Sequence, residues 1–377
     1  MRPGIYLDFN AGAPVRPEAV EAVTAAMAQV GNPSSVHGAG RAARALLESA
    51  RTDVAALVGG PASTVVFTSG GTEANALAIE SAVAAGSRRL IISAIEHDSV
   101  IEAARASGVV VDVLPVDRHG IADLDWLAAR LSDHEPTDGR PFVALMAANN
   151  ETGVIQPVLE ASELVRAHNG WLHVDAVQAA GRLAMDSRSV QADTYAVSAH
   201  KLGGPQGVGA LTFGPRASLV RRQHGGGQER GRRAGTENLP GIAGFAAAAR
   251  AALRDRDDNR AWRDGAVADL KAGGAIVIGE AARRLDGTLC LAFPGFPAER
   301  QVMALDLAGV MISAGAACSS GKVKASHVLL AMGLDDLAGC AIRVSGGWST
   351  TAKDWAGFVE AWQAMTSSFT ARRASAA

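Results

Sequence analysis

The 377-residue chain has little cysteine, almost no net charge and no long apolar run, and each shortage narrows what it can be. Three cysteines (Cys290, Cys318 and Cys340) form no CxxC pair and no even-numbered disulfide framework, which fits a reducing compartment and leaves any important cysteine to act as a thiol. Nine histidines show no HxxxH or Cys/His ligand spacing, so no metal site is expected. Thirty-six Lys and Arg against 38 Asp and Glu give a net charge of −2, without the broad positive field that nucleic acid or anionic lipid requires. The opening MRPGIYLDFNAGAPV lacks an apolar stretch behind a basic start, and no charge-free run is long enough to span a bilayer. A cytoplasmic protein without membrane or nucleic-acid partners is therefore expected. Nucleotide motifs are missing too. Lys322 is followed by Val323, which spoils GxxxxGK[ST], and the partial GxGxxA at Gly38, Gly40 and Ala43 follows NPSSVH rather than a strand.

What is present is an alternation. VVFTS (65–69), RLIISA (89–94), VVVDVLPV (109–116), PFVALMAA (141–148), WLHVDAV (171–177), TYAVSA (194–199) and GALTF (209–213) are separated by helix-like segments. That pattern predicts an α/β fold with a mostly parallel, seven-stranded sheet covered by helices. Ligands in such folds sit at the carboxyl ends of the strands, which directs attention to Ser69-Gly70-Gly71-Thr72, Glu96-His97, Asn149-Asn150-Glu151, Asp175 and His200-Lys201. After the charged segment RDRDDNRAWRD (254–264), strand candidates AIVIG and TLCLAF, a helix around 298–308 and another after Ser326 predict a smaller α+β unit. The expected division is a large domain over 14–253 and a small domain made of 1–13 and 254–370. Residues 371–377 are expected to be a disordered tail.

Three features point to one chemistry. Lys201 follows a β run and precedes Gly203, Gly204, Gly207 and Gly209; it reads either as a loop lysine or as an amine whose desolvation readies it for a Schiff base. Asp175 ends WLHVD, where it could cap a helix or hold the nitrogen of a pyridinium ring. Gly70, Gly71 and Thr72 run from a strand into a helix, as a cup for a phosphate dianion would. A phosphate cup, a strand-end Asp and a strand-end Lys, in that order, are what a pyridoxal phosphate site needs.

TSGGTEAN, EHDSV, NNETGVIQP, HVDAVQAAG, SAHKLGGPQGVGAL, HGGGQERGRRAGTEN and SAGAACSSGKVKASHVLLAMG resemble, in order and spacing, the motifs of NifS/IscS-type cysteine desulfurases. The likeness extends from LDFNAGAP to IRVSGG, nearly the whole chain. It implies a fold type I pyridoxal phosphate enzyme of the aminotransferase class V group, working as a homodimer. It further implies Lys201 as the Schiff-base lysine, Asp175 at the pyridinium, His97 stacked on the ring, and Gln178 at the ring hydroxyl. Gly71, Thr72, Ser198 and His200 would hold the phosphate, with Thr236 reaching that of the neighbouring subunit. Asn150 and Arg343 would bind the substrate, Arg343 as a clamp on its carboxylate. Without the resemblance, Arg343 could instead be an ordinary interdomain ion pair, and His97 and His173 could be satisfied structural residues.

Cys318 sits in SAGAACSSG, a run of small residues with little to pack, and a mobile loop over 313–325 is expected; Cys290 and Cys340 lie in apolar surroundings and read as small buried hydrophobes. The implied reaction passes the sulfur of L-cysteine to the Cys318 thiolate. It leaves a persulfide and alanine, after which a sulfur acceptor or iron–sulfur scaffold protein takes the sulfur. Three departures stand out: Trp348-Ser349 where the family often has Arg-Phe, Ala325 where a proline is usual, and an end at Ala377. A selenocysteine lyase or small-substrate aminotransferase, and an idle paralogue, are the competing readings. Cys318 argues against an aminotransferase, and the joint presence of Lys201, Asp175, His97 and Cys318 argues against an idle chain.

Overall fold

The computed structural model describes residues 4–255, 259–315 and 325–376. Cys318 and most of the 313–325 loop lie outside the described residues, and so does the expectation of mobility there.

The seven apolar runs form one seven-stranded sheet in the spatial order Val65–Thr68, Gly209–Phe213, Thr194–Ser198, Trp171–Asp175, Phe142–Ala144, Arg89–Ser93, Val110–Leu114. Only Gly209–Phe213 runs against its neighbours; the other six point the same way, so their carboxyl ends share one edge. Buried on both faces, the central strands need apolar residues at nearly every position, which is why they read as continuous runs rather than alternations. Val110–Leu114, at one edge, is half-exposed. At the other edge Arg51 and Glu229 take the place of an eighth strand: Arg51 Nη1 donates to the Val65 carbonyl at 3.0 Å, and Glu229 Oε2 accepts the Phe67 N–H at 2.9 Å. The two side chains also form a buried two-pronged ion pair at 2.6 and 2.9 Å.

The smaller unit contains an antiparallel sheet in the order Ser313–Ala314, Ala341–Ser345, Thr288–Ala292, Ile276–Val277. Ile5–Tyr6 pairs in parallel with Val310–Met311, and Asp8 bridges to Ser345, so the start of the described chain packs with the late segments. Leu7, Leu291, Leu305, Val344, Trp355, Phe358 and Trp362 share its core. A separate apolar cluster joins Ile95 and Met146, beyond strands of the large sheet, to Cys290, Val328, Leu329 and Met332. That contact places the helix His327–Ala331 beside the carboxyl edge of the large sheet.

One expectation is corrected. The last helix runs Ala352–Ala376, through most of the 371–377 stretch read as a disordered tail. Phe369 stacks on Phe296 with ring centres 4.0 Å apart, and the Arg373 guanidinium lies 5.8 Å from the Phe369 ring, so the final turns have something to pack on. Alanine and arginine, frequent in TARRASA, also favour helix.

Candidate active site

A cavity of about 610 Å³ opens at the carboxyl edge of the large sheet. Gly71, Thr72, Ser198, His200 and Lys201 line it, and so do His97, Asp175, Gln178, Asn150 and Arg343. Thr236 is exposed and lies outside this wall.

Lys201 stands directly after the strand Thr194–Ser198, at the end of a short 3-10 turn. Leu202 and Gly203 follow, and Gly203 has φ +86°, with the Pro14 carbonyl 2.9 Å from where a Cβ would sit. Only glycine turns the chain away from the cavity at that place. Lys201 Nζ donates to the carbonyls of Asn10 at 2.5 Å and Ala11 at 2.9 Å. Burial, then the Arg343 and Arg182 cations, push its pKa down to about 7. A neutral amine has two N–H groups and one lone pair; both N–H groups are engaged, and the lone pair remains for a carbonyl carbon. Burial likewise lowers the pKa of His200 to about 4, with Lys201 adding to it, and His200 Nδ1 lies 2.9 Å from Ser198 Oγ.

Gly70 leads into the helix Gly71–Ala84, whose first-turn N–H groups face outward from the helix end. Gly209 lets this turn approach the sheet closely: a Cβ there would sit 2.7 Å from Gly70 Cα. Opposite, Asp175 ends the strand Trp171–Asp175, and its two oxygens accept from Val177 N–H at 2.9 Å and Asn75 Nδ2 at 2.8 Å. His97 caps the helix Asp98–Ala106, with Nδ1 accepting the Ser99 N–H at 3.0 Å.

Arg343 reaches the cavity from the smaller sheet. Nη2 donates to Asp8 Oδ1 at 2.8 Å and Nη1 to the Asn150 carbonyl at 3.2 Å, while the buried Nε has no hydrogen-bond partner. An unmet donor on a buried guanidinium in a cavity wall suits an incoming carboxylate. Arg343 does form an ion pair, with Asp8, but both residues belong to the smaller unit; the guanidinium meets the large unit through the Asn150 carbonyl instead of an interdomain ion pair.

Several contributors were given no role by the sequence reading, although Glu96 and Glu151 were singled out there as strand-end positions. Asn10 is a buried hub: its carbonyl accepts from Lys201 and Gln178, its Oδ1 from Arg182 at 2.6 Å, and its Nδ2 donates to the Asn150 carbonyl at 3.1 Å. Its position inside LDFNAGAP was the available signal. Glu96 is fully buried; Oε1 accepts the Met146 N–H at 2.6 Å and Oε2 has no partner. Burial first and Asp175 second hold its pKa well above the usual carboxylate range. Glu151, from NNETG, accepts from Ser326 Oγ at 2.5 Å, and His327 Nε2 meets the Glu96 carbonyl at 3.0 Å. Both line the cavity.

Cys290 is buried and its thiol pKa is pushed up by burial, whereas Cys340, expected to be buried, is half-exposed after the Asp335–Leu337 turn. Trp348 does not line the cavity. Its indole N–H donates to the Pro14 carbonyl at 3.1 Å and its ring lies 5.0 Å from the Arg16 guanidinium, so here it braces the backbone behind Lys201.

Residues 5–356 match the model of the aminotransferase class-V family, and the chain belongs to that family. It is similar to the cysteine desulfurase of Cereibacter sphaeroides, 42% identical over 93% of this chain and 92% of that one. It is 35% identical to cysteine desulfurase IscS of Dictyoglomus turgidum, over 94% of this chain and 92% of that one. The X-ray structure of a NifS-like protein from Rickettsia africae superimposes with a TM-score of 0.87 at 30% identity, covering 96% of this chain and 99% of that one.

Proposed function

We propose that the protein is a pyridoxal phosphate-dependent cysteine desulfurase that converts L-cysteine to L-alanine and passes the sulfur to Cys318 as a persulfide. The observation carrying this reading is Lys201: a strand-end amine with both N–H groups engaged, in one cavity with Asp175 and with a buried guanidinium whose Nε is unmet.

The donor set fits the cofactor. Lys201 would hold its aldehyde carbon, and Gly71, Thr72, Ser198 and His200 its phosphate. Asp175 would take the ring nitrogen, His97 a ring face and Gln178 the ring hydroxyl. When bound, pyridoxal phosphate supplies the electron-accepting ring that stabilises negative charge at the substrate α-carbon. Arg343 grips the substrate carboxylate, and Asp8 and the Asn150 carbonyl keep the guanidinium in place. Asn150, in the cavity wall, would join Arg343 in binding the substrate. Lys201, about half of it neutral near pH 7, takes the α-proton. The Cys318 thiolate forms the new S–S bond as the substrate Cβ–Sγ bond breaks. Atoms balance as cysteine plus thiol giving alanine plus persulfide.

The same reading includes a large domain over 14–253, a small one over 1–13 and 254–370, and a cytoplasmic homodimer in which Thr236 reaches the phosphate of the neighbouring subunit. It also includes delivery of sulfur to an acceptor or iron–sulfur scaffold protein. The test is alanine formation from L-cysteine by the purified protein loaded with pyridoxal phosphate, beside Lys201→Ala. Wild type should form alanine and carry the visible absorbance of the lysine-bound cofactor, and Lys201→Ala should do neither. Retention of that absorbance by Lys201→Ala would sink the assignment.

A further inference from the structure

A chain of hydrogen bonds, buried from Trp171 to Asp175 and opening to the cavity surface at its His97 branch, ends on the two side chains that would hold the cofactor ring. It begins at Trp171, whose Nε1–H can only donate, and does so to Thr194 Oγ1 at 3.1 Å. Thr194 Oγ1 is 2.9 Å from His173 Nδ1, His173 Nε2 is 2.9 Å from Asn75 Oδ1, and Asn75 Nδ2 is 2.8 Å from Asp175 Oδ2. The same Asn75 nitrogen reaches Ser99 Oγ at 2.8 Å, and Ser99 Oγ reaches His97 Nδ1 at 2.8 Å.

The direction of every bond follows from the two ends. Asp175 accepts, so Asn75 turns its NH₂ toward Asp175 and its oxygen toward His173. His173 Nε2 must then carry the proton. His173 is fully buried with no charged partner, and burial lowers its pKa to about 3, so the ring is neutral and Nδ1 accepts from the Thr194 hydroxyl. Both Asn75 N–H groups are used, so the Ser99 hydroxyl is free to donate to His97 Nδ1. That nitrogen already accepts the Ser99 N–H, which leaves the His97 proton on Nε2. All donors point one way, from the sheet interior to the cavity, the arrangement in which successive bonds polarise one another.

The sheet builds this chain. Trp171, His173 and Asp175 alternate onto one face of a single strand, and Thr194 pairs in register with His173 on the next. Phe142 stacks on the His173 ring at 6.3 Å, fixing its plane. A purely structural histidine would need partners but no consistent polarity ending on two cavity residues.

We propose that Asn75 is a positioning residue, supplied by the one-way chain Trp171, Thr194 and His173, that locks Asp175 and His97 together in the orientations a bound pyridinium ring requires. The inference rests on the cofactor assignment above, and its test separates the two. Full-length wild type, Asn75→Ala and Thr194→Val are loaded with pyridoxal phosphate labelled with ¹⁵N in the ring. The ring-nitrogen resonance, cofactor retention on dilution, and melting temperature are recorded.

In wild type the nitrogen should be protonated. In Asn75→Ala its resonance should move toward the neutral form, with cofactor held at least about tenfold less tightly, the scale of one lost hydrogen bond to a charged group. Thr194→Val keeps the side-chain shape, removes only the hydroxyl, and should move the resonance the same way by less. A merely structural role would lower melting temperature and occupancy yet leave the resonance of bound cofactor where it is in wild type. Unchanged resonances in both variants would overturn the inference, and if Asn75→Ala fails to fold, Thr194→Val decides alone. Wild type that takes up no cofactor at Lys201 would overturn the cofactor reading itself, before any variant is compared.

Discussion

Lys201 should titrate near neutrality, because burial and two cations disfavour its ammonium form and lower its pKa to about 7. An ordinary lysine amine titrates near 10.4, so at pH 7 only about 0.04% of it is neutral. For Lys201 about half is neutral, a gain of roughly a thousandfold in nucleophile. Competitive acylation of the cofactor-free protein across pH, read at the Lys201 peptide by mass spectrometry, gives the midpoint directly. Arg343→Gln and Arg182→Gln should each raise it, neither restoring the ordinary value, since burial is the larger cause. The same shift has a stability signature. Between the folded value and the ordinary one, the unfolded chain binds a proton that the native protein does not, so stability rises with pH across that window and is lost as pH falls toward 7. Lys201→Met should flatten that rise. A Lys201 midpoint above about 9 would refute the desolvated-amine reasoning, because it would match an amine in water.

Removing Glu229 leaves Arg51 buried and charged without its two-pronged partner, and also orphans the Phe67 N–H. Glu229→Ala should cost about 3–5 kcal/mol in urea denaturation, and a loss below about 1 kcal/mol would show that water or rearrangement replaces the pair. Glu96, its pKa raised by burial and by Asp175, keeps its proton in the native protein to higher pH than in the unfolded chain. Its contribution is therefore present at low pH and declines as pH rises above the ordinary carboxylate value, so Glu96→Gln should match wild type at low pH and exceed it by a margin that grows as pH rises above that value. A margin independent of pH would contradict this. Cys318→Ala should retain the lysine-bound cofactor absorbance while sulfur release from cysteine collapses; unchanged release would favour the lyase reading.

The sheet was legible because all its strands but the half-exposed edge strand Val110–Leu114 are largely buried and announce themselves as apolar runs. The observed strands fall inside the runs read from sequence, with Phe142–Ala144 much shorter than the 141–148 run. Lys201 and Asp175 were legible as chemistry because each is a charged residue at the end of such a run. Asn10, Asn75 and Arg182 were not, since their importance lies in contacts across 100 or more residues, such as Asn75 with Asp175 and Asn10 with Arg182. His173 shows the limit well: sequence offered a satisfied core histidine, and it is satisfied, but only the structure gives the polarity of its bonds. The end of the last helix was misjudged because the stacking partner of Phe369, Phe296, lies far back in the chain.

The central claim is that sulfur leaves L-cysteine for the thiol of Cys318. The most direct measurement is brief incubation of the purified, pyridoxal phosphate-loaded protein with L-cysteine, followed by blocking of free thiols and peptide mass spectrometry. Added sulfur should appear on the peptide carrying Cys318, with alanine formed alongside and nothing added at Cys290 or Cys340. No added sulfur on that peptide, with the cofactor still bound, would contradict the account.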